Sequence, residues 1–220
     1  MSKKIIILNA VIYLLFVLLT LTLIFNIAGI HKINIAVSHW IQLFHNNYLD
    51  ILLSYLTFLM SGEVCVFFSI IFSIYCYIYY RPIYLLTWLF ILGVVIELLI
   101  KHYIPMPDIN LEHRNIWDMG IIVATNYSYP SGHALRTAFF ALFLSYFVIR
   151  YLNWNRYSII LLAGIITFLL LYSRSYLGVH WFVDVVGGAL LGAALGLTAI
   201  IITEKKLKGH KRGANILPQS

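Results

Sequence analysis

Six runs of about 20 apolar residues, separated by polar breaks, constrain this chain more than any other feature, because about that many are needed for a helix to cross the hydrocarbon core of a bilayer. They fall at residues 5–27, 62–80, 83–100, 131–150, 157–172 and 181–202. The expected fold is all-α, a six-transmembrane-helix bundle, with residues 1–220 forming a single integral membrane domain. Composition points the same way. With 62% hydrophobic residues, 10% charged and a mean hydropathy of +0.90, the chain cannot cover itself with a water-facing surface, where about a quarter of residues carry charge.

The spaces between the runs carry their own signals. Ser2-Lys3-Lys4 precedes the first run, which lacks a convincing small-residue cleavage site and reads as a retained signal anchor. Residues 31–59 are more amphipathic, with His31, Lys32, His39, His45 and Asp50 among Trp40, Phe44 and Leu53, and are expected to lie along the interface. Tyr75, Tyr77, Tyr79 and Tyr80 before Arg81-Pro82 suit an interfacial belt. Cys65 and Cys76 share one apolar run at a spacing that suits neither a zinc site nor a disulfide framework. Gly187, Gly188, Gly192 and Gly196 form a small-residue stripe of the kind that packs helices in a bilayer.

Lysines and arginines set the orientation, since short cytoplasmic loops hold an excess of them. Most of them, from Lys3 and Lys4 through Arg81, Arg150 and Arg156 to the basic tail after Glu204, fall on one side if both termini are cytoplasmic. The tail suits anionic inner-leaflet lipids rather than a nucleic acid, because no further domain accompanies it. Residues 1–4 and 203–220 are then cytoplasmic and 101–130 is an extracytoplasmic loop. Lys101, His133, Arg174 and His180 all reach that same outer face.

Ionisable groups beside membrane spans are costly and mark function by default. His180 and Asp184, four residues apart, share one helix face. A carboxylate that accepts the Nδ1 proton leaves Nε2 free to attack phosphorus. Arg174 can fork two donors onto phosphoryl oxygens. In Pro130-Ser131-Gly132-His133, Ser131 suits a helix N-cap, Gly132 permits close backbone approach, and the exposed amides of the helix start favour an anion. His133 then sits where it could protonate a leaving oxygen. Glu97, four residues before Lys101, is its expected ion-pair partner.

These segments resemble the signature of the type 2 phosphatidic acid phosphatase family, which shares its core with the vanadium haloperoxidases. The family pattern is a lysine followed after six residues by Arg-Pro, then Pro-Ser-Gly-His, then Ser-Arg, five residues, His, three residues and Asp. Pro130-Ser131-Gly132-His133 and Ser173-Arg174 with His180 and Asp184 match the second and third blocks. The first departs: after Lys101 the count lands on Asp108-Ile109. Arg114 and Arg136 are both candidates for the missing arginine. The resemblance implies that His180 becomes phosphorylated, that Asp184 orients it and that His133 is the general acid, with Lys101, Arg174, Ser131, Gly132 and Arg114 binding phosphate.

It also implies no cofactor and no metal, since arginine and lysine do a metal's work. The expected activity is hydrolysis of a lipid phosphate or diphosphate: a polyprenyl diphosphate, phosphatidic acid or phosphatidylglycerol phosphate. A phosphotransferase using the same intermediate, or a non-catalytic lipid-phosphate binder, is the alternative. The expected partners are that lipid substrate and the bilayer, with no nucleic acid and the oligomeric state left open. The expected location is a bacterial plasma membrane, with the site facing outward.

Overall fold

The computed structural model describes residues 3–25, 28–79, 85–104 and 127–214, which hold eight α-helices and no strand. They are α1 (Lys3–Ile24), α2 (Ala28–Gln42), α3 (Asn47–Phe58), α4 (Gly62–Tyr79), α5 (Leu85–Tyr103), α6 (Gly132–Tyr151), α7 (Arg156–Tyr176) and α8 (Phe182–Ala214). Among the described residues five helical stretches are long and apolar enough to cross a membrane: α1, α3 and α4 taken together across the turn that joins them, α6, α7 and the first 26 residues of α8. The 19-residue α5 coincides with the third apolar run of the sequence. Ile7, Leu14, Phe67, Ile70, Trp88 and Phe168 point outward from the bundle and are exposed, an arrangement that hydrocarbon satisfies and water would not.

The centre of the bundle is the pairing of α6 with α8, the most extensive helix contact. Over half of the most apolar window of each is buried, against 11% for α1 at the periphery. Glycine makes this possible. A Cβ at Gly188 would run into the carbonyl of Ser131, and one at Gly192 into the carbonyl of Leu135, so the two backbones touch where side chains would normally stand. The opposite face of α6 is aromatic. Phe143 and Phe147 meet Phe72 of α4 at centroid distances of 5.3 and 5.1 Å, and Phe140 meets Phe90 of α5 at 5.1 Å. Asn9 of α1 donates to Thr198 of α8 at 2.9 Å, which closes the outer layer over the pair.

The amphipathic segment at 31–59 is not one helix. It breaks at 43–46, where the Asn46 side chain caps α3 by accepting from the amide of Tyr48. The resulting α2 and α3 both pack on α7. Their polar face is turned inward: Asn34 and Thr57 are 1% and 5% exposed, whereas Trp40 and Tyr48 are 60% and 85% exposed. Polar groups of a membrane helix gain more from hydrogen-bonding partners inside the protein than from facing lipid. Trp40, Phe44 and Tyr48 are then left on the outside, while Ile41 and Leu53 are buried with Tyr176 and Leu177.

Candidate active site

The ends of α5 and α7 and the starts of α6 and α8 converge at one end of the bundle. At the C-terminus of α7 the chain curls back on itself, so that the amides of Val179 and His180 both donate to the carbonyl of Arg174 at 3.1 Å. Gly178 sits in this turn with φ 65°, a left-handed conformation that glycine adopts without steric cost. The turn brings His180 beside Arg174 although five residues separate them. His180 Nδ1 lies 3.4 Å from Oδ2 of the buried Asp184, which also accepts from the amide of Trp181 at 3.1 Å.

A backbone hydrogen bond ties the second motif to this one: the Ser131 amide donates to the Asp184 carbonyl at 3.0 Å. Ser131 caps α6, its hydroxyl accepting from the amide of Ala134 at 3.4 Å. The preceding Tyr129 is fully buried, its ring filling the space that Gly187 leaves open and its hydroxyl 2.8 Å from that of Thr20. His133 follows in the first turn of α6, half-buried. The side chains of Arg174, Arg136, His180 and Lys101 all lie close enough to act on it electrostatically.

Charged side chains complete the site. Glu97 pairs with Lys101 at 3.1 Å one turn along α5 and with Arg136 at 3.6 Å across to α6. Its carboxylate occupies the space where a Cβ of Gly132 would stand. Gly132 therefore admits an anion at a helix N-terminus, as its type suggests, but the anion in place belongs to the protein. Arg136 also donates from Nε to the carbonyl of Met60 at 2.8 Å and from Nη2 toward His133 Nδ1 at 3.3 Å. Arg174 donates from Nη1 to the hydroxyl of Thr57 at 2.9 Å.

His180, His133, Asp184, Ser131, Gly132, Lys101 and Arg174 are thus brought into one cluster. Arg114 and Asp108 lie outside the described residues, whereas Arg136 stands at the site. Sequence reasoning missed Thr57, Met60 and Asn34, whose side-chain oxygen accepts from the amide of Val183 at 3.0 Å at the start of α8. All three belong to the segment around α2 and α3, and the polar positions in it were the available signal. Among the described residues no group of three or more His, Cys, Asp or Glu is placed to hold a metal ion.

Residues 83–208, more than half of the chain, match the model of the PAP2 superfamily. The chain belongs to that superfamily. This PAP2 protein has the fold of the transmembrane PAP2-type phosphatidylglycerolphosphate phosphatase of Bacillus subtilis, with a TM-score of 0.77 over 90% of this chain and 96% of the other at 22% identity. It is similar in fold to the LpxE of Aquifex aeolicus, with a TM-score of 0.59 at 24% identity over 77% and 95% of the two chains. In sequence it is 35% identical over 78 residues to phosphatidylglycerophosphatase B of Bacillus subtilis and 40% identical over 79 residues to an undecaprenyl-diphosphatase of Sulfolobus acidocaldarius. These alignments span 34% and 36% of this chain, and only 38% and 34% of the respective relatives.

Proposed function

We propose that this integral membrane protein hydrolyses the phosphate or diphosphate headgroup of a lipid, without a metal, through a phosphohistidine on His180. The observation that carries this reading is the placement of His180 against Asp184 and beside Arg174, with the turn bearing His133 tied to the same carboxylate residue through its backbone. The names of the similar proteins, phosphatidylglycerophosphatase and undecaprenyl-diphosphatase, support a lipid phosphate as the substrate class.

The chemistry follows from the partners. Asp184 holds the His180 proton on Nδ1, so the lone pair on Nε2 is free to form a bond to phosphorus. As the N–P bond forms, the bond from phosphorus to the leaving oxygen breaks and its electron pair departs with that oxygen. His133, as the general acid, passes a proton to that oxygen and takes one back from the water that attacks in the second step. Lys101 and Arg174, with Arg114 from the 101–130 segment, neutralise the phosphoryl oxygens, and the amides after Ser131 add dipoles of the same sign. Water then attacks phosphorus, the N–P pair returns to Nε2 and inorganic phosphate is released. The site faces away from the cytoplasm, on the side opposite the lysine-rich ends, in a bacterial plasma membrane.

The test is phosphate release by the purified chain in detergent against polyprenyl diphosphate, phosphatidate and phosphatidylglycerol phosphate, with and without chelator. Release from at least one lipid that persists in chelator is expected, together with an acid-labile phosphoenzyme. His180→Ala should abolish both, a loss of about 10³-fold or more. An active alanine variant would remove His180 as the nucleophile, and rescue of a chelated enzyme by a divalent ion would overturn the metal-free mechanism.

A further inference from the structure

One buried carboxylate joins three parts of the site that lie far apart in sequence. Glu97, 4% exposed, pairs with Lys101 Nζ at 3.1 Å along α5 and with Arg136 Nη1 at 3.6 Å across to α6, and it lies where a Cβ of Gly132 would stand. We propose that Glu97 is a positioning residue: seated in the space that Gly132 leaves open, its carboxylate holds the Lys101 ammonium beside the N-terminus of α6, where the lysine meets a phosphoryl group. Gly132 thereby serves a carboxylate of the protein itself. That Lys101 is a phosphate ligand belongs to the phosphatase reading above, on which this role rests.

A lysine needs such a holder more than an arginine does. Its ammonium is a point charge on a flexible four-carbon stem, and at the end of a membrane helix that stem tends to carry the charge out to the headgroups. Lys101 stands in the last turn of α5, yet its side chain is only 12% exposed. Glu97 accounts for the inward turn. A glutamate four residues before a lysine is the favourable order for an ion pair on one helix face, and the positive end of the α6 dipole draws the same carboxylate toward Gly132. Arg136 is the fixed point of the arrangement: Nε donates to the Met60 carbonyl at 2.8 Å, Nη1 pairs with Glu97, and Nη2 lies 3.3 Å from His133 Nδ1. With three of its nitrogens committed to the protein, Arg136 braces Glu97 instead of replacing the arginine missing from the first motif block.

The seat depends on glycine. The carboxylate oxygens and carboxyl carbon of Glu97 are the atoms nearest to the point where a Cβ of residue 132 would be built, all of them too close to coexist with it. A methyl group there would push the carboxylate aside, and Lys101 with it. Glu97 has two opposite effects on an arriving phosphate: its charge repels the anion, and its grip keeps an ammonium within reach. One carboxylate between two cations leaves a net positive charge, so the repulsion is outweighed while the placement is kept. Removing the charge of Glu97 is therefore expected to weaken phosphate binding, where repulsion alone would predict the reverse.

The test uses the full chain in detergent, with inorganic phosphate as the binding probe in titration calorimetry and the lipid panel for kcat and KM. Glu97→Gln keeps the shape of the side chain and removes its charge. It is expected to weaken phosphate binding and raise KM at least about fivefold, with a smaller effect on kcat, as for the loss of one charged contact. In a Lys101→Met background the same substitution should weaken phosphate binding no further, because the group it positions is gone. Equal losses in both backgrounds would make Glu97 a packing residue and overturn the proposal, as would tighter phosphate binding by Glu97→Gln. Gly132→Ala should weaken phosphate binding as Glu97→Gln does, whereas the combined Gly132→Ala, Glu97→Ala variant should bind no more weakly than Glu97→Ala, since the methyl group takes the vacated room. Additive losses would remove the seat at Gly132. Unfolding temperatures accompany each variant, and where Glu97→Ala fails to fold, the cycle of Glu97→Gln with Lys101→Met decides. Failure to release phosphate from every lipid would remove the phosphatase reading alone, because the coupling between Glu97 and Lys101 is read without turnover. Phosphate binding that Lys101→Met leaves unchanged would remove the role given to Glu97.

Discussion

Thr57 shows how a site can depend on a residue with no chemistry of its own. Its hydroxyl accepts from Arg174 Nη1 at 2.9 Å, deep in the protein, and so fixes the direction of the guanidinium proposed to bind phosphate. Valine has nearly the same shape but lacks the acceptor. A hydrogen bond to a charged group contributes about 1.5–3 kcal/mol. Thr57→Val is therefore expected to lower kcat/KM about tenfold or more, since each 1.36 kcal/mol is tenfold in rate. The loss should fall mainly on KM if Arg174 binds the phosphoryl group in the ground state. Kinetics within twofold of the parent would mean that Arg174 holds its position without α3.

At the scale of the elements, the α6–α8 pair is where the fold and the site become one problem. The glycines of α8 let its backbone touch α6 at Ser131 and Leu135, and the contact at Ser131 lies two residues before His133. A leucine at 192 would have to push its Cβ through the Leu135 carbonyl, whereas at Gly164 of α7 no atom stands within 4 Å of an added Cβ. Gly192→Leu should therefore reduce the thermal stability in detergent by about 1–3 kcal/mol or more and abolish activity. Gly164→Leu should leave the unfolding temperature unchanged or slightly higher, because glycine is a poor helix former. Equal effects of the two substitutions would mean that close backbone approach is not what holds the bundle.

At the scale of the whole molecule, alternating helix directions bring the ends of α5 and α7 together with the starts of α6 and α8, so Lys101, His133, Arg174 and Asp184 meet at one end. The other end carries Tyr146, which donates to Glu204 at 2.7 Å, and Arg150, paired with the same carboxylate at 3.6 Å. If the lysine-rich end is cytoplasmic, as proposed, a cysteine introduced by Asn110→Cys should react with an impermeant maleimide in intact cells, and one introduced by Ser220→Cys should not. The native Cys65 and Cys76 are buried and should contribute little background. The reverse labelling pattern would put the site on the cytoplasmic side.

The sequence by itself determined the helices and the motif residues. Long apolar runs have few alternatives in a bilayer, and α1, α4, α5, α6 and α7 begin and end within a few residues of the runs that announce them. The helix of α8 outlasts its run, continuing through Glu204 and the basic residues after it, because hydropathy marks the lipid boundary and not the end of a helix. The contact of His180 with Asp184 was legible from their spacing, but it is not made across one helix face as expected: His180 lies in the turn before α8, and that turn, not helix geometry, brings it to Asp184 in the first turn. Only the tertiary structure decided what stands behind these residues. That Thr57 and Met60 hold the two arginines, that Glu97 fills the space beside Gly132, and that Arg136 faces His133 Nδ1 depend on how α3, α5 and α6 pack. The polar faces of α2 and α3 look in one dimension like surfaces for water or headgroups, and they turn inward because the buried donors of α7 and α8 need their oxygens.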